Sequence, residues 1–283
     1  MSNPNLIYLL YAIGFFGFLI LSEFLFGIYK NNNTYKNVKD ASSSLIQGGT
    51  YLLFQIPVIG FFLSINLFLY EFRIFTFGNA WYEIFLCYIV MDFSYYWWHR
   101  ASHRIRFLWA NHIIHHTSEE MNFTTALRQT FMTPFLRPFF YLHLPLLGFH
   151  PELLGILGGI GLLSAIWTHT KLIGKLGFLE KIIVTPAGHR VHHGSNPEYI
   201  DKNYGGTFMI WDVIFGTYQA EVTEVRYGIT TNINTYNPIK IATHEYVSWI
   251  KDLFRSESLS KALKFTFYGP EKLEELRQIK STK

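Results

Sequence analysis

The sequence predicts an all-α, multi-pass membrane protein of about four to five membrane segments, with a cytoplasmic helical cap carrying three histidine boxes. Three observations predict it. Apolar runs long enough to cross a bilayer follow one another through the N-terminal third of the chain. The composition is rich in aromatics and poor in charge, with 49% hydrophobic, 18% aromatic and 16% charged residues and a positive mean hydropathy. Eight of the twelve histidines fall into H-x-x-x-H or H-x-x-H-H, spacings that place side chains on one face of a helix.

Taken in order, residues 6–29 are apolar apart from Glu23 and long enough to span about 30 Å of hydrocarbon as a helix. The flank at 1–5 carries no Lys or Arg and no small-residue cleavage site follows, so the run is expected to be a retained span and not a signal sequence. Residues 30–44 (KNNNTYKNVKDASSS) are polar and read as a loop, and 48–70 supply a second span. A linker at 71–77 leads to a third span at 80–98, which closes on Tyr95, Tyr96, Trp97 and Trp98, aromatics suited to a membrane interface. Residues 117–130 are polar and are expected to lie amphipathically at that interface, with Glu119 and Glu120 solvated. Next come two shorter apolar runs, 131–149 and 152–167, split by Gly148 and Pro151 as in a helical hairpin; Pro134, Pro138 and Pro145 make its first arm irregular. From residue 171 the composition faces water, with turn signals at Pro186, Gly188, Gly205 and Gly206. The expected division is 1–79 as N-terminal transmembrane helices, 80–218 as the box-bearing core and 219–283 as a cytoplasmic tail. Lys30, Lys36 and Lys39 in the first loop, and Arg100, Arg104, Arg106 and Arg128 near the boxes, put the site on the cytoplasmic side by the positive-inside rule.

The boxes are H-R-A-S-H (His99, His103), H-I-I-H-H (His112, His115, His116) and H-R-V-H-H (His189, His192, His193). At about 4% histidine, one H-x-x-H-H is expected by chance in roughly one such chain in fifty, and the full set far more rarely. Neutral imidazole is a good ligand for Fe, Zn, Cu and Ni, and eight imidazoles are too many for one ion, so two adjacent metals are expected. His169 follows the hairpin on the side where the boxes meet and is expected as a ninth ligand; His143, His150 and His244 have no partner at helical spacing and are left out. Metal-bound imidazoles usually donate their other N–H to a carboxylate or carbonyl. Asp92, Asn122, Asp201 and Tyr204 are the polar residues expected to support the ligands in this way. The single Cys87 excludes a disulfide framework or thiolate site within one chain, and a net charge of +4 without a basic block gives no reason to expect nucleic acid.

The text D-F-S-Y-Y-W-W-H-R-A-S-H, then W-A-N-H-I-I-H-H-T-S-E-E-M-N-F, then H-R-V-H-H-G-S-N-P-E-Y-I-D-K-N-Y-G-G with W-D and F-G-T-Y after it resembles the fatty acid hydroxylase and sterol desaturase superfamily, over residues 92–218. Within that superfamily the last two runs look most like the alkylglycerol monooxygenase branch. The resemblance implies two irons held by His99, His103, His112, His115, His116, His189, His192 and His193, with His169 matching the histidine after the last span. It also implies dioxygen-dependent oxidation of a lipid (sterol, fatty acyl or ether lipid) within the bilayer. Electrons would come from an external redox partner or a reduced pterin, because the chain has no G-x-G-x-x-G fingerprint and no cysteine set for an iron–sulfur cluster. Two other classes compete with a hydroxylase: a two-metal zinc-dependent lipid hydrolase, needing neither oxygen nor reductant, and a non-catalytic membrane metal carrier with ligands strung across the bilayer.

Overall fold

The computed structural model describes residues 4–278 other than Asn33, with side chains from Gly14 onward. The expectations for the flank at 1–5 and for residues 279–283 of the tail lie outside the described side chains. Among the described residues the chain is helical throughout and has no β-strand, only two isolated bridges, Ile183 to Phe208 and Gly194 to Tyr227. The first three helices are long: α1 (Pro4–Tyr29), α2 (Val38–Tyr70) and α3 (Trp81–Arg104). Helix α4 (Arg106–His116) is followed by short pieces α5 (Phe123–Ala126), α6 (Thr133–Leu136) and α7 (His143–Leu147), then by α8 (Pro151–Trp167). The remainder holds α9 (Pro186–His192), α10 (Ile210–Ile214), α11 (Pro238–Phe254), α12 (Leu259–Phe267) and α13 (Leu273–Gln278).

Among the described residues one helix, α2, is long and apolar enough to cross a membrane, and 11% of its apolar window is buried. A helix so little covered is not the core helix of a water-soluble bundle, which would hide that face. At about 1.5 Å per residue its 33 residues run about 50 Å. Asn37 caps its start by accepting from the amides of Lys39 and Asp40. The hairpin is shorter than two spans. Its prolines break the first arm into α6, a 3-10 turn at Arg137–Tyr141 and α7, and α8 has 17 residues, about 25 Å. The hairpin tip packs on the α2–α3 linker: the Ile74 amide donates to the Leu146 carbonyl at 2.8 Å, and the Phe77 and Phe149 rings stack at 4.5 Å.

At the other end of these helices the chain folds back on itself. Ile105 is extended (φ −123°, ψ 116°), a one-residue break that ends α3 and starts α4, so the second box returns to the first. Buried polar bonds tie this end together. Glu23 of α1 accepts from the Tyr35 hydroxyl at 2.6 Å, from the Phe123 amide at 2.8 Å and from the Thr170 hydroxyl, joining three segments. Arg128, wholly buried, pairs with Asp40 of α2 at 2.7 Å and donates to Ser44 and Thr117.

The structure departs from several of these expectations. Residues 117–130 do not lie on an interface: Thr117, Ser118, Glu120, Met121, Asn122, Thr124 and Arg128 are buried, because the segment threads between α2 and the histidines. Glu120 is therefore not a solvated acid, whereas Glu119 is exposed and accepts from Asn232. Arg106 and Arg128 cannot act as surface charges in a positive-inside argument, since both are enclosed in ion pairs, Arg106 with Glu245 and Asp252. Pro186 and Gly188 do not make a turn; Pro186 is the first residue of α9, where its missing N–H costs nothing, and Thr185 caps that helix by accepting from the Gly188 amide at 3.1 Å.

Candidate metal centre

The three boxes stand on three helix ends: His99 and His103 on the last turns of α3, His112, His115 and His116 at the end of α4, and His189 and His192 on α9 with His193 at its C-cap. All eight, together with His169, are buried. They fall into two groups. His99, His103, His112, His116 and His192 form one, and His115, His169, His189 and His193 form the other, with ligand atoms in each group all within 4.8 Å of one another.

The division follows from helix geometry. In H-x-x-H-H the first and last imidazoles differ by about 40° around the axis, while the fourth position lies about 100° from the fifth. Each box accordingly sends its first and last histidines to one group and its middle one to the other: His112 and His116 against His115 on α4, His189 and His193 against His192 on α9. The two boxes are assigned in opposite senses, which interleaves the groups.

Ligand nitrogens spaced for one ion would lie about 3.0 Å apart when adjacent and about 4.2 Å when opposite, for bonds of about 2.1 Å. The Nε2 atoms of His99 and His112 are 3.0 Å apart, and those of His112 and His116 are 3.1 Å apart. In the second group the Nε2 pairs His115–His169, His169–His189 and His189–His193 lie at 3.1, 2.9 and 3.1 Å.

Backbone carbonyls set the tautomers. The Nδ1–H of His99 donates to the Tyr204 carbonyl at 2.8 Å, that of His115 to Arg128 at 3.2 Å, that of His169 to Ala165 at 2.6 Å and that of His192 to Lys202 at 3.0 Å. His115 and His169 therefore both carry their proton on Nδ1, and their Nε2 lone pairs meet at 3.1 Å with no hydrogen between them. Lone pairs so placed repel unless a cation lies between them. His103 Nε2 and His192 Nε2 are buried without a hydrogen-bond partner among the described residues, which is costly unless they bind a metal. Burial pushes every one of these imidazoles below its ordinary pKa, and for His99, His112 and His115 mutual repulsion adds to it; His169 is lowered to about 4. They are neutral at physiological pH, the form that binds metal. The donor set fits two metal ions.

Of the four supporting residues expected from the sequence, two touch histidines. Asp201 lies 3.6 Å from His103 Nδ1, and although burial raises its carboxyl, His103 and Arg104 hold it below the usual carboxylate value. Tyr204 supplies the carbonyl for His99 and packs its ring on His103 at 5.2 Å. Among the described residues Asp92 makes no hydrogen bond or ion pair with a histidine. Its carboxylate accepts from the amides of Thr207 and Phe208 at 2.7 and 3.1 Å and from the Trp211 indole at 2.9 Å. Asn122 is a cap: it accepts from the Thr124 amide and donates to the Thr34 carbonyl. Sequence reading missed the carbonyls of Arg128, Ala165 and Lys202, for which no side-chain signal exists. It also missed Asp212, which accepts from the amides of Tyr204 and Gly205 at 2.7 Å each and was visible only as part of the W-D motif. Asp92 and Asp212 thus clamp the 204–208 loop from two sides. Gly206 is required there, because a Cβ would come within 2.7 Å of the Tyr95 ring and 2.8 Å of Asp92. The other three histidines lie elsewhere: His143 faces Ser94 at 3.2 Å, His150 caps α8 beside Tyr70, and His244 donates to the Ile241 carbonyl.

The fatty acid hydroxylase family model matches residues 84–217. The alkylglycerol monooxygenase of Homo sapiens is 37% identical over 268 residues, covering 92% of this chain and 58% of that protein. That of Xenopus tropicalis is 41% identical over 185 residues, 65% of this chain and 41% of that protein. An ornithine lipid hydroxylase of Rhizobium tropici is 28% identical over 143 residues, 48% of this chain and 42% of its own length. The chain spans about half the length of these relatives. No solved structure matches.

Proposed function

We propose that the chain, whose residues 84–217 match the fatty acid hydroxylase family model, is a membrane-bound di-iron oxidoreductase that hydroxylates or desaturates a lipid. The observation that carries this reading is the sorting of nine buried imidazoles into groups of five and four, each with nitrogen spacings suited to one ion. An all-histidine set is neutral and lets two cations keep their charge, and two irons, when bound, would supply the oxidising power that an unactivated C–H bond demands. Hydroxylation balances as R–H + O2 + two electrons + two protons giving R–OH and water. The electrons would come from outside the chain, from a redox partner or a reduced pterin, since the sequence carries no G-x-G-x-x-G fingerprint and no cysteine set for an iron–sulfur cluster.

The protein's own groups bind, orient and shield. Carbonyls of Tyr204, Arg128, Ala165 and Lys202 hold four rings with Nε2 turned inward. Tyr95 packs its ring 5.3 Å from that of His99, and an aromatic ring at that position would help keep water from the reacting carbon. Substrate enters from the lipid side. The proposed topology places α1, α2, the apolar part of α3 and the proline-broken hairpin in the bilayer, with the metal centre at its cytoplasmic face; exposed Phe18, Leu53, Phe61, Trp81 and Ile156 support it.

The test uses iron-loaded protein in proteoliposomes with a chemical reductant and a panel of ether, acyl and sterol lipids under 18O2. The expected result is a lipid product carrying one labelled oxygen, or an alkene formed only with oxygen present. Lipid cleavage that proceeds without oxygen or reductant would instead support the zinc hydrolase.

A further inference from the structure

The hairpin's first arm contains a cation that the metal centre does not use. Arg137 opens the 3-10 turn Arg137–Tyr141 in the midst of F-L-R-P-F-F-Y, and among the described residues it has no hydrogen bond and no carboxylate partner. Its electrostatic neighbours are three tyrosines from three elements, Tyr51 of α2, Tyr95 of α3 and Tyr141 of its own turn. None of the three hydroxyls has a hydrogen-bond partner among the described residues, and all four residues are half-buried. Asp92 shares this neighbourhood but its oxygens are taken by Thr207, Phe208 and Trp211. By contrast Arg106, Arg128 and Arg190, the arginines that bridge buried segments here, each meet a carboxylate.

A guanidinium kept at membrane depth without a counter-ion is costly, and such residues pair with something or face a pathway. The surroundings say what would pair with it. Tyr95 packs its ring 5.3 Å from that of His99, so the cluster stands one side chain from the first metal group. On the outer side, Phe54 meets Phe131 and Phe135 at 5.5 and 6.3 Å, and Phe62 meets Phe139 at 5.4 Å, an aromatic wall between α2 and the arm. Phe139 is 59% exposed, which leaves that wall open to an alkyl chain.

We infer that Arg137, with the hydroxyls of Tyr51, Tyr95 and Tyr141, is a receptor for an anionic oxygen group, phosphate or carboxylate, on the head of a lipid whose chain lies along the Phe54–Phe131–Phe139 wall. Arg supplies a planar fork of donors that matches either anion, and the tyrosines add three more. This deepens the lipid-oxidising reading and rests on it for the identity of the bound molecule as substrate. It narrows the substrate class to lipids with an acidic head near the oxidised carbon.

The full chain in neutral maltoside micelles is titrated by calorimetry with decyl phosphate, with decanol and with inorganic phosphate. Decyl phosphate should bind at least about tenfold more tightly than decanol. Arg137→Gln should abolish that preference. Arg137→Lys should keep part of it, since charge remains while the fork is lost. Tyr141→Phe, which removes one hydroxyl and keeps the ring, should weaken decyl phosphate alone by a few-fold; it carries the test if Arg137→Gln fails to fold. Unchanged phosphate preference in Arg137→Lys and Tyr141→Phe would overturn the inference. So would inorganic phosphate binding as tightly as decyl phosphate, which would mark a free-anion site. Binding needs neither oxygen nor reductant, so a protein that selects decyl phosphate yet oxidises no lipid would defeat the oxygenase reading and leave this one intact.

Discussion

His115 and His169 each give their Nδ1 proton to a carbonyl and point bare Nε2 atoms at one another. That arrangement has a consequence for the metal-free protein. In the unfolded chain these imidazoles take up protons near pH 6.5, while in the fold burial holds both lower, with repulsion from neighbouring imidazoles adding to it at His115. The unfolded state then binds more protons as pH falls, so the contribution to stability is complete above about pH 6.5 and is lost as pH drops toward about 4. The thermal midpoint of chelator-stripped protein in detergent should fall steadily between pH 7 and pH 5; a flat profile would mean the rings are solvated or already charged. The buried imidazole cluster was legible because imidazole is both the chemical group and the letter in the sequence. Their supports were not, since the carbonyls of Ala165, Arg128 and Lys202 belong to every residue type alike.

Among the elements, the 204–208 loop connects distant parts of the sequence to the metal centre. Asp92 on α3 and Asp212 on α10 take its amides, and the Tyr204 carbonyl then meets His99. Hydrogen bonds to a charged acceptor contribute about 1.5–3 kcal/mol each. Asp92→Asn keeps the shape but loses the charge, and should lower stability by about 2 kcal/mol and speed metal loss to a chelator, measured as occupancy after dialysis. Wild-type occupancy and stability would show that the clamp does not reach His99. The sequence pattern located Asp92 but assigned it to an imidazole, because helix spacing along α3 ignores a loop arriving from residue 207. For the same reason 117–130 read as an interface segment: its polar residues serve buried partners such as Asp40 and Thr34, which lie far off in sequence. The apolar lengths of α1, α2 and α3 were legible, as was the broken arm from its prolines, whereas the polar first turns of α2 from Val38 to Ser44 read as a loop.

At the scale of the whole molecule, α2 separates two ends. Asp40 near its start holds Arg128 beside the histidines, and Tyr70 at its finish meets His150 at the hairpin tip, about 45 Å of helix away. Exposed positions at the two ends should therefore lie on opposite sides of a bilayer. Glu71→Cys and Glu198→Cys, each in a background where buried Cys87 is unreactive, should be labelled by an impermeant maleimide from opposite faces of sealed vesicles. Labelling of both from one face would contradict a membrane-crossing α2. Whether nine imidazoles hold two separate ions is decided by the metal content of purified His112→Ala and His169→Ala beside the wild type. The wild type should hold two ions per chain and each variant one, since the substitutions empty different groups; a single ion in the wild type, or its loss in both variants together, would mean that the imidazoles share one site.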